Sequence, residues 1–244
     1  MTTKKFSLLR FLLKWISILS SCLFFFIPAF NQALFVVIMS MPLLGLLLRL
    51  NYRPGLETLI DVQKKKSGNY FLDVVDFIEF PGIIGFFKVL LVFSLPFFHA
   101  FWLPFLCAFL GYIGLLYLSH KPIETANPHK GNMRLILIVH AALYAFTLVH
   151  GLNCGFDQSK PTIYQAVVKE KPVKIRIKVW FTHFLRPEPW GPNQCRRKVS
   201  VSRKEFERAS PGDIILIRYQ NGLLGIPHFR KVGLISRSEE APRP

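Results

Sequence analysis

The run at residues 134–153, RLILIVHAALYAFTLVHGLN, carries no Asp, Glu, Lys or Arg after its first position. A helix of about 20 apolar residues satisfies its backbone hydrogen bonds internally and spans the roughly 30 Å hydrocarbon layer of a bilayer. This run divides the chain. Before it lie long apolar stretches; after it the residues alternate and the charge is strongly basic. At 51% hydrophobic and 14% aromatic, the 244 residues are more apolar than an ordinary soluble domain.

Four further runs have the same character, at residues 11–30, 33–50, 82–98 and 100–118. Together with 134–153 they predict a membrane bundle of about five transmembrane helices over residues 1–153. The first run follows Lys4, Lys5 and Arg10, which is also how a cleaved signal peptide begins. After Cys22, however, the chain continues Leu-Phe-Phe-Phe-Ile-Pro, where a processed leader would turn polar, so the run is read as a retained span. The pairs 11–30 with 33–50 and 82–98 with 100–118 read as two tight helical hairpins.

Sidedness follows from the loops. Lys4, Lys5, Arg10, Lys14, Arg49, Arg53, Lys64, Lys65, Lys66, Lys121, Lys130 and Arg134 fall on one face if the N-terminus, the 51–81 loop and the 119–134 connector share it, and the two short turns opposite hold no basic residue. Positive residues in short loops stay cytoplasmic. The expected arrangement is an integral protein of the bacterial inner membrane with its N-terminus cytoplasmic and its C-terminal part extracytoplasmic, or periplasmic. The later part holds 18 of the 31 Lys and Arg, but long domains translocate largely regardless of charge.

Charged groups inside spans are candidates for function. Lys88 lies close enough to the start of its run for its stem to reach the headgroups, and His140 is the deepest ionisable group of the last run. Within the 51–81 loop, NYFLDVVDFIEF at 69–80 places Asp73, Asp76 and Glu79 three apart, which on a helix makes a narrow acidic stripe.

Beyond Cys154 the period changes to that of strands. Val173, Ile175, Ile177, Val179 and Phe181 alternate with Lys174, Arg176, Lys178 and Trp180, as in a strand with one buried face. Residues 162–168 read as its partner, 182–194 as a proline-rich loop, and 197–202 as a short strand. Ser202 with Glu205 fits a capping box, and Asn221-Gly222 a tight hairpin between strands at 214–219 and 226–235. About five strands and a helical turn in residues 154–235 predict a small all-β barrel of the OB or SH3-like kind; residues 236–244 read as a disordered tail.

Asn153 and Asp157, Val199 with Ser200 ahead of Phe206, Gly212-Asp213 and Gly222-Leu223-Leu224-Gly225-Ile226-Pro227 form a pattern. It resembles the C-terminal part of uncharacterised bacterial multi-span inner-membrane proteins, in which a G-D strand is followed by a G-x-L-G-x-P turn and an aromatic pair. Here the pair is His228-Phe229, a partial departure. The resemblance covers about the last 90 residues and implies a location and a fold, with no activity attached.

Cys154 and Cys195 both fall in the C-terminal part, and in an oxidising compartment they are candidates for a disulfide, with free thiols the competing reading. No C-x-x-C spacing, catalytic motif or Walker loop occurs, so neither a metal nor a cofactor is expected and no catalytic residue is assigned. The best functional expectation is an anchored binding or scaffold module. Lys174, Arg176, Lys178 and Trp180, with Arg196, Arg197 and Lys198, would offer a basic surface to a protein partner or an anionic envelope component. The alternative is a small transporter or lipid-modifying enzyme. Extracytoplasmic placement argues against nucleic acid.

Overall fold

A computed structural model describes residues 3–27, 29–64, 70–94, 99–171, 175–177, 180–191 and 194–235. The chain forms two compact units, one from residues 1–92 and 99–156, the other from 93–98 and 157–244.

The first unit holds five helices: α1 (Thr3–Phe26), α2 (Gln32–Leu47), α3 (Asp76–Val92), α4 (His99–Ser119) and α5 (Lys130–Gly155). Asn31 starts α2 by accepting a hydrogen bond from the Leu34 amide at 3.0 Å, the task Asn performs best at a helix N-terminus. The contacts fix the helix directions. Lys14 of α1 meets Asp76 of α3 at 2.9 Å, and Lys88, further along α3, reaches the carbonyls at the end of α1, so α1 and α3 run parallel. A Cβ at Gly82 of α3 would lie beside Leu143 and Tyr144 of α5 and one at Gly85 beside Thr147, so these two are parallel as well. In contrast, Gln32 of α2 donates to the Gly155 carbonyl of α5 at 2.7 Å while Tyr144 donates to the Met39 carbonyl at 2.6 Å, an antiparallel pair. Phe101 on Phe146 and Tyr112 on Tyr144 set α4 antiparallel to α5. Direction therefore alternates from each helix to the next.

The core of this unit is aromatic, with Phe24, Phe35, Phe77 and Tyr144 fully enclosed. Close approach needs small residues: a Cβ at Gly151 would collide with the ring of Phe35, and one at Gly155 with Phe30. Gly151→Leu is expected to cost about 1–3 kcal/mol through overpacking, read as a lower unfolding temperature in detergent, with Phe35→Ala returning part of the loss.

The outside of the unit is also apolar. Only 17% of the apolar stretch of α4 is buried, and Trp102, Leu103, Leu110 and Leu118 stand exposed on it, Leu103 at 71%. Phe11, Leu19 and Phe26 of α1, Val36 of α2, Leu91 of α3 and Leu135 of α5 are likewise exposed. Among the described residues α4 and α5 are the helices long and apolar enough to cross a membrane. The apolar stretches of α1, Phe11–Phe26, and of α2 are shorter, and α2, with 16 residues, extends only about 24 Å.

Between α2 and α3 the expected acidic stripe does not form. A short 3-10 helix (Leu56–Leu59) leads into a hairpin of β1 (Ile60–Lys64) and β2 (Tyr70–Val74), whose register opposes Asp73 to Asp61. The run of Tyr70, Phe71, Leu72 and the β-branched Val74 suits a strand, so the helix begins only at Asp76. Asp73 is thereby separated from Asp76 and Glu79.

The second unit is a nearly closed antiparallel barrel. Its strands are β3 (Thr162–Glu170), β4 (Ile175–Ile177), β5 (Trp180–Pro187), β6 (Val199–Val201), β7 (Ile214–Gln220) and β8 (His228–Ile235), with α6 (Arg203–Arg208) between β6 and β7. Pairing runs β4-β5-β3-β7-β8, with β6 paired to residues 183–185 of β5 and close to β8. Val168, Leu185, Val199, Ile215, Ile217 and Phe229 fill the interior, with Trp190 against Phe229. Ser202 and Glu205 form the anticipated capping box on α6. The connector residue Ser94 joins this unit by accepting from the Phe229 amide at 2.9 Å.

Three sequence expectations are corrected here. The stretch 173–181 is not one strand: Ile177 pairs with Trp180, so β4 and β5 are two antiparallel strands. Residues 182–187 are strand rather than loop, because the prolines begin only at Pro187, where β5 ends. The Asn221-Gly222 turn widens into a loop over 221–227, with Gly222 and Gly225 at φ +78° and +70°, and β8 starts after Pro227.

Candidate functional site

The β-unit carries a cleft of about 450 Å³ lined by Lys169, Glu170, Arg186, Pro187, Pro189 and Arg196. Its geometry begins with the strand pairing. Val168 faces Pro187 and Glu170 faces Arg186, so the register slips at Lys169, a bulge of the kind that re-aims a side chain at a functional edge. Arg186 holds Glu170 through Nη1 at 3.1 and 3.2 Å from the two carboxylate oxygens. That pair neutralises itself. The excess positive charge belongs to Lys169 and Arg196, both exposed.

Arg196 is delivered by a turn whose ends are tied together: Trp190 and Cys195 exchange backbone hydrogen bonds of 3.2 and 2.9 Å, and Gly191 and Gln194 take φ of +62° and +52° to close it. Gly tolerates such angles freely while Gln does not. Gln194→Gly is expected to raise stability by a few tenths of a kcal/mol up to about 1, measurable as a small rise in unfolding temperature. Prolines at 187 and 189 stiffen the other wall.

Of the basic residues picked from the sequence, Arg196 lines the cleft, while Arg197 and Lys198 follow it on the exposed approach to β6. Arg176 and Trp180 lie on the paired strands β4 and β5, Arg176 opposite Phe181. Lys174 and Lys178 lie outside the described residues. Lys169 and Arg186, the cleft's other cations, escaped the sequence reading because 169–172 and 182–194 looked like turn and loop. The proline spacing after Arg186 was the available signal.

A second constellation sits inside the same unit. The Asp157 carboxylate accepts the Ser159 amide (2.8 Å), the Ser159 hydroxyl (3.0 Å), the Gly222 amide (3.1 Å) and His228 Nε2 (2.9 Å). The Asp and His side chains are only 2% and 4% exposed, and Phe93 meets the imidazole edge to face. Ser159 bonds to the carboxylate and not to the imidazole, so the trio lacks the serine-to-base contact of a nucleophilic triad. It is a tie, fastening the start of the unit to the 221–227 loop.

The tie is pH-sensitive. Burial is the main cause holding His228 below the ordinary imidazole value, with Arg230 and Arg218 adding to it and Asp157 opposing. The buried Nδ1 has no partner among the described residues, so a second N–H there would go unsatisfied. For Asp157 burial pushes the pKa up, but the hydrogen bonds from Ser159, His228 and Gly222 outweigh it and leave the group lowered. Both native groups bind protons less readily than the unfolded chain. The β-unit is therefore expected to lose stability as pH falls below about 6.5, first through His228 and then, below about 4, through Asp157. Unfolding curves from pH 8 to pH 4 check this, and His228→Gln should flatten the upper part.

In the helical unit, Lys88 is 4% exposed, so the snorkelling expected of it is corrected. Its ammonium donates to the carbonyls of Phe25 and Ile27 and lies over the Phe24 ring. Because α3 runs parallel to α1 and ends beside it, this cation serves the unfilled carbonyls at the C-terminus of α1. His140 bonds through Nδ1 to the Ile136 carbonyl of its own helix at 2.9 Å. A buried knot closes the opposite end: Arg49 Nη1 lies 3.0 Å from His120 Nε2, and His120 Nδ1 lies 2.8 Å from Ser119 Oγ. Burial, then the Arg49 charge, lower the His120 pKa to about 4 against the pull of the Leu116 carbonyl. The neutral ring is what lets Nε2 accept from Arg49.

Cys154 and Cys195 are both buried, Cys154 accepting from its neighbour Asn153 and Cys195 set in the β-unit core. Burial raises the Cys195 pKa, with the Arg197 amide and charge opposing, which keeps the thiol protonated and unreactive. No group of metal-ligating side chains occurs among the described residues. Comparison with protein-family models, with curated proteins and with solved structures finds no match to this chain.

Proposed function

We propose that this chain is an integral membrane protein of the bacterial inner membrane that anchors a binding module, and that all five helices of the first unit cross the bilayer. The alternating helix directions and the apolar exterior of every one of the five support this reading. An exposed apolar surface of that extent is unfavourable in water and favourable in lipid. With an odd number of crossings and basic loops at the N-terminal face, the β-unit lies outside the cytoplasm. A helix, α6, inserted between β6 and β7 supports an OB-type assignment over an SH3-like one.

The module's ligand is an acidic partner protein or another anionic envelope component, received at the Lys169, Arg186 and Arg196 cleft. The observation that carries this is the surplus of cations over the single, already paired Glu170. Transport or lipid modification is less well supported, because Lys88 and His140 are engaged with backbone carbonyls.

A labelled oligo-glutamate peptide titrated onto the full chain in neutral detergent tests the reading. Binding should weaken as salt rises from about 0.05 to 0.5 M. The double substitution Lys169→Glu and Arg196→Glu should lower affinity about tenfold or more by placing like charges against the probe. Affinity unchanged by the double substitution would refute the cleft as the site.

A further inference from the structure

The helical unit has a groove of about 390 Å³ between α4 and α5, its walls formed by Leu56, Phe109, Ile113, Tyr117, Arg134 and Leu137 among others. It is apolar along its length and charged at one end. Going along α4 from Phe109 to Tyr117 covers about 12 Å, while antiparallel α5 brings Arg134 to the Tyr117 end. A second guanidinium joins it there: Arg53 donates to the Tyr117 carbonyl at 3.3 Å. The segment carrying Arg53 is clamped in place, since the Leu56 amide donates to the Lys121 carbonyl at 2.9 Å and the Lys121 amide to the Pro54 carbonyl at 2.8 Å. Arg53, Lys121 and Arg134 are all exposed, and no residue lining the groove is acidic.

We infer that this groove binds an anionic glycerophospholipid, its acyl chain lying along Phe109, Ile113 and Leu137 and its phosphate held by Arg134 and Arg53. The apolar length matches a hydrocarbon chain, and the polar side chains that line the groove, Tyr117 and Arg134, both lie at one end. The paired guanidinium groups match a phosphate, for which arginine's planar fork is suited. Basic pockets between transmembrane helices near one membrane face recognise acidic lipids on these terms. The inference rests on the membrane assignment proposed above.

The test uses the purified full chain in neutral detergent, with native mass spectrometry and thermal unfolding as readouts. Added phosphatidylglycerol should remain bound and raise the unfolding temperature, whereas phosphatidylcholine or inorganic phosphate should do neither. The double variant Arg53→Ala and Arg134→Ala should weaken phosphatidylglycerol binding about 30-fold, from roughly fivefold per arginine. Ile113→Trp, which leaves both arginines and fills the groove, should weaken it too. Equal effects from phosphatidylcholine, the same stabilisation by inorganic phosphate, or binding undiminished in both variants would each overturn the inference. Extraction of the wild-type chain from membranes by alkaline carbonate would instead overturn the membrane assignment, so the two failures are told apart.

Discussion

Asp157→Ala is expected to unfold the β-unit while leaving the helical unit intact. Four donors converge on that carboxylate in a nearly solvent-free position. Deleting it leaves the Gly222 amide and His228 Nε2 without their acceptor, and an unsatisfied buried donor costs about 1–3 kcal/mol. Two such donors together cost about 2–6 kcal/mol, a large part of the roughly 5–15 kcal/mol that holds such a domain together. Asp157→Asn keeps the shape but turns one oxygen into a donor, and should fall between wild type and Ala. Hydrogen exchange of the full chain separates the units, because protection should vanish from β3, β7 and β8 and persist in α4 and α5.

The second large effect concerns the outward face of α4. Leu106 and Leu110, one turn apart, are 48% and 57% exposed. On a surface facing water, replacing both with Arg would change stability by about 0.5 kcal/mol each or less. Facing the middle of a bilayer, each Arg costs about 2.5–3.5 kcal/mol. The double substitution Leu106→Arg and Leu110→Arg is therefore expected to abolish accumulation of the protein in membranes. Leu106→Phe and Leu110→Phe should have no such effect. The same pair of positions thus reports what surrounds the helix, independently of any ligand.

How much of this could be read from residues alone differs by element. Helices α4 and α5 were legible to within a few positions because their apolar runs are long and end at polar connectors such as His120-Lys121. The strand at 162–168 and the capping box at Ser202 are equally direct, since each is a local pattern. Non-local pairing was not legible. The hairpin that takes Tyr70–Val74 away from α3 depends on a partner strand across a basic stretch, and period alone favoured a helix. Likewise the division into β4 and β5 lies inside an alternating run, where one strand and two paired strands look the same.

The candidate site shows the same divide. Arg196 was found because it sits in a visible cluster of positive charge, while Lys169 and Arg186 come together only through a slipped strand register. Asp157 and His228 were each noticed as part of a pattern, but their bond spans the whole β-unit and no spacing announces it. Lys88 stands out in the sequence by its charge. Its role as the donor that completes α1 follows from α1 and α3 being parallel, which no single helix reveals.

Under the proposed membrane assignment, the side on which the β-unit lies decides which partners its cleft can meet. Single cysteines at Gln158 and at Asn132, each introduced into a chain lacking its four native cysteines, can be labelled in intact cells with a membrane-impermeant maleimide. The account requires Gln158→Cys to react in intact cells and Asn132→Cys to react only after the membrane is opened. Labelling in the reverse order, or both positions protected until permeabilisation, would contradict it.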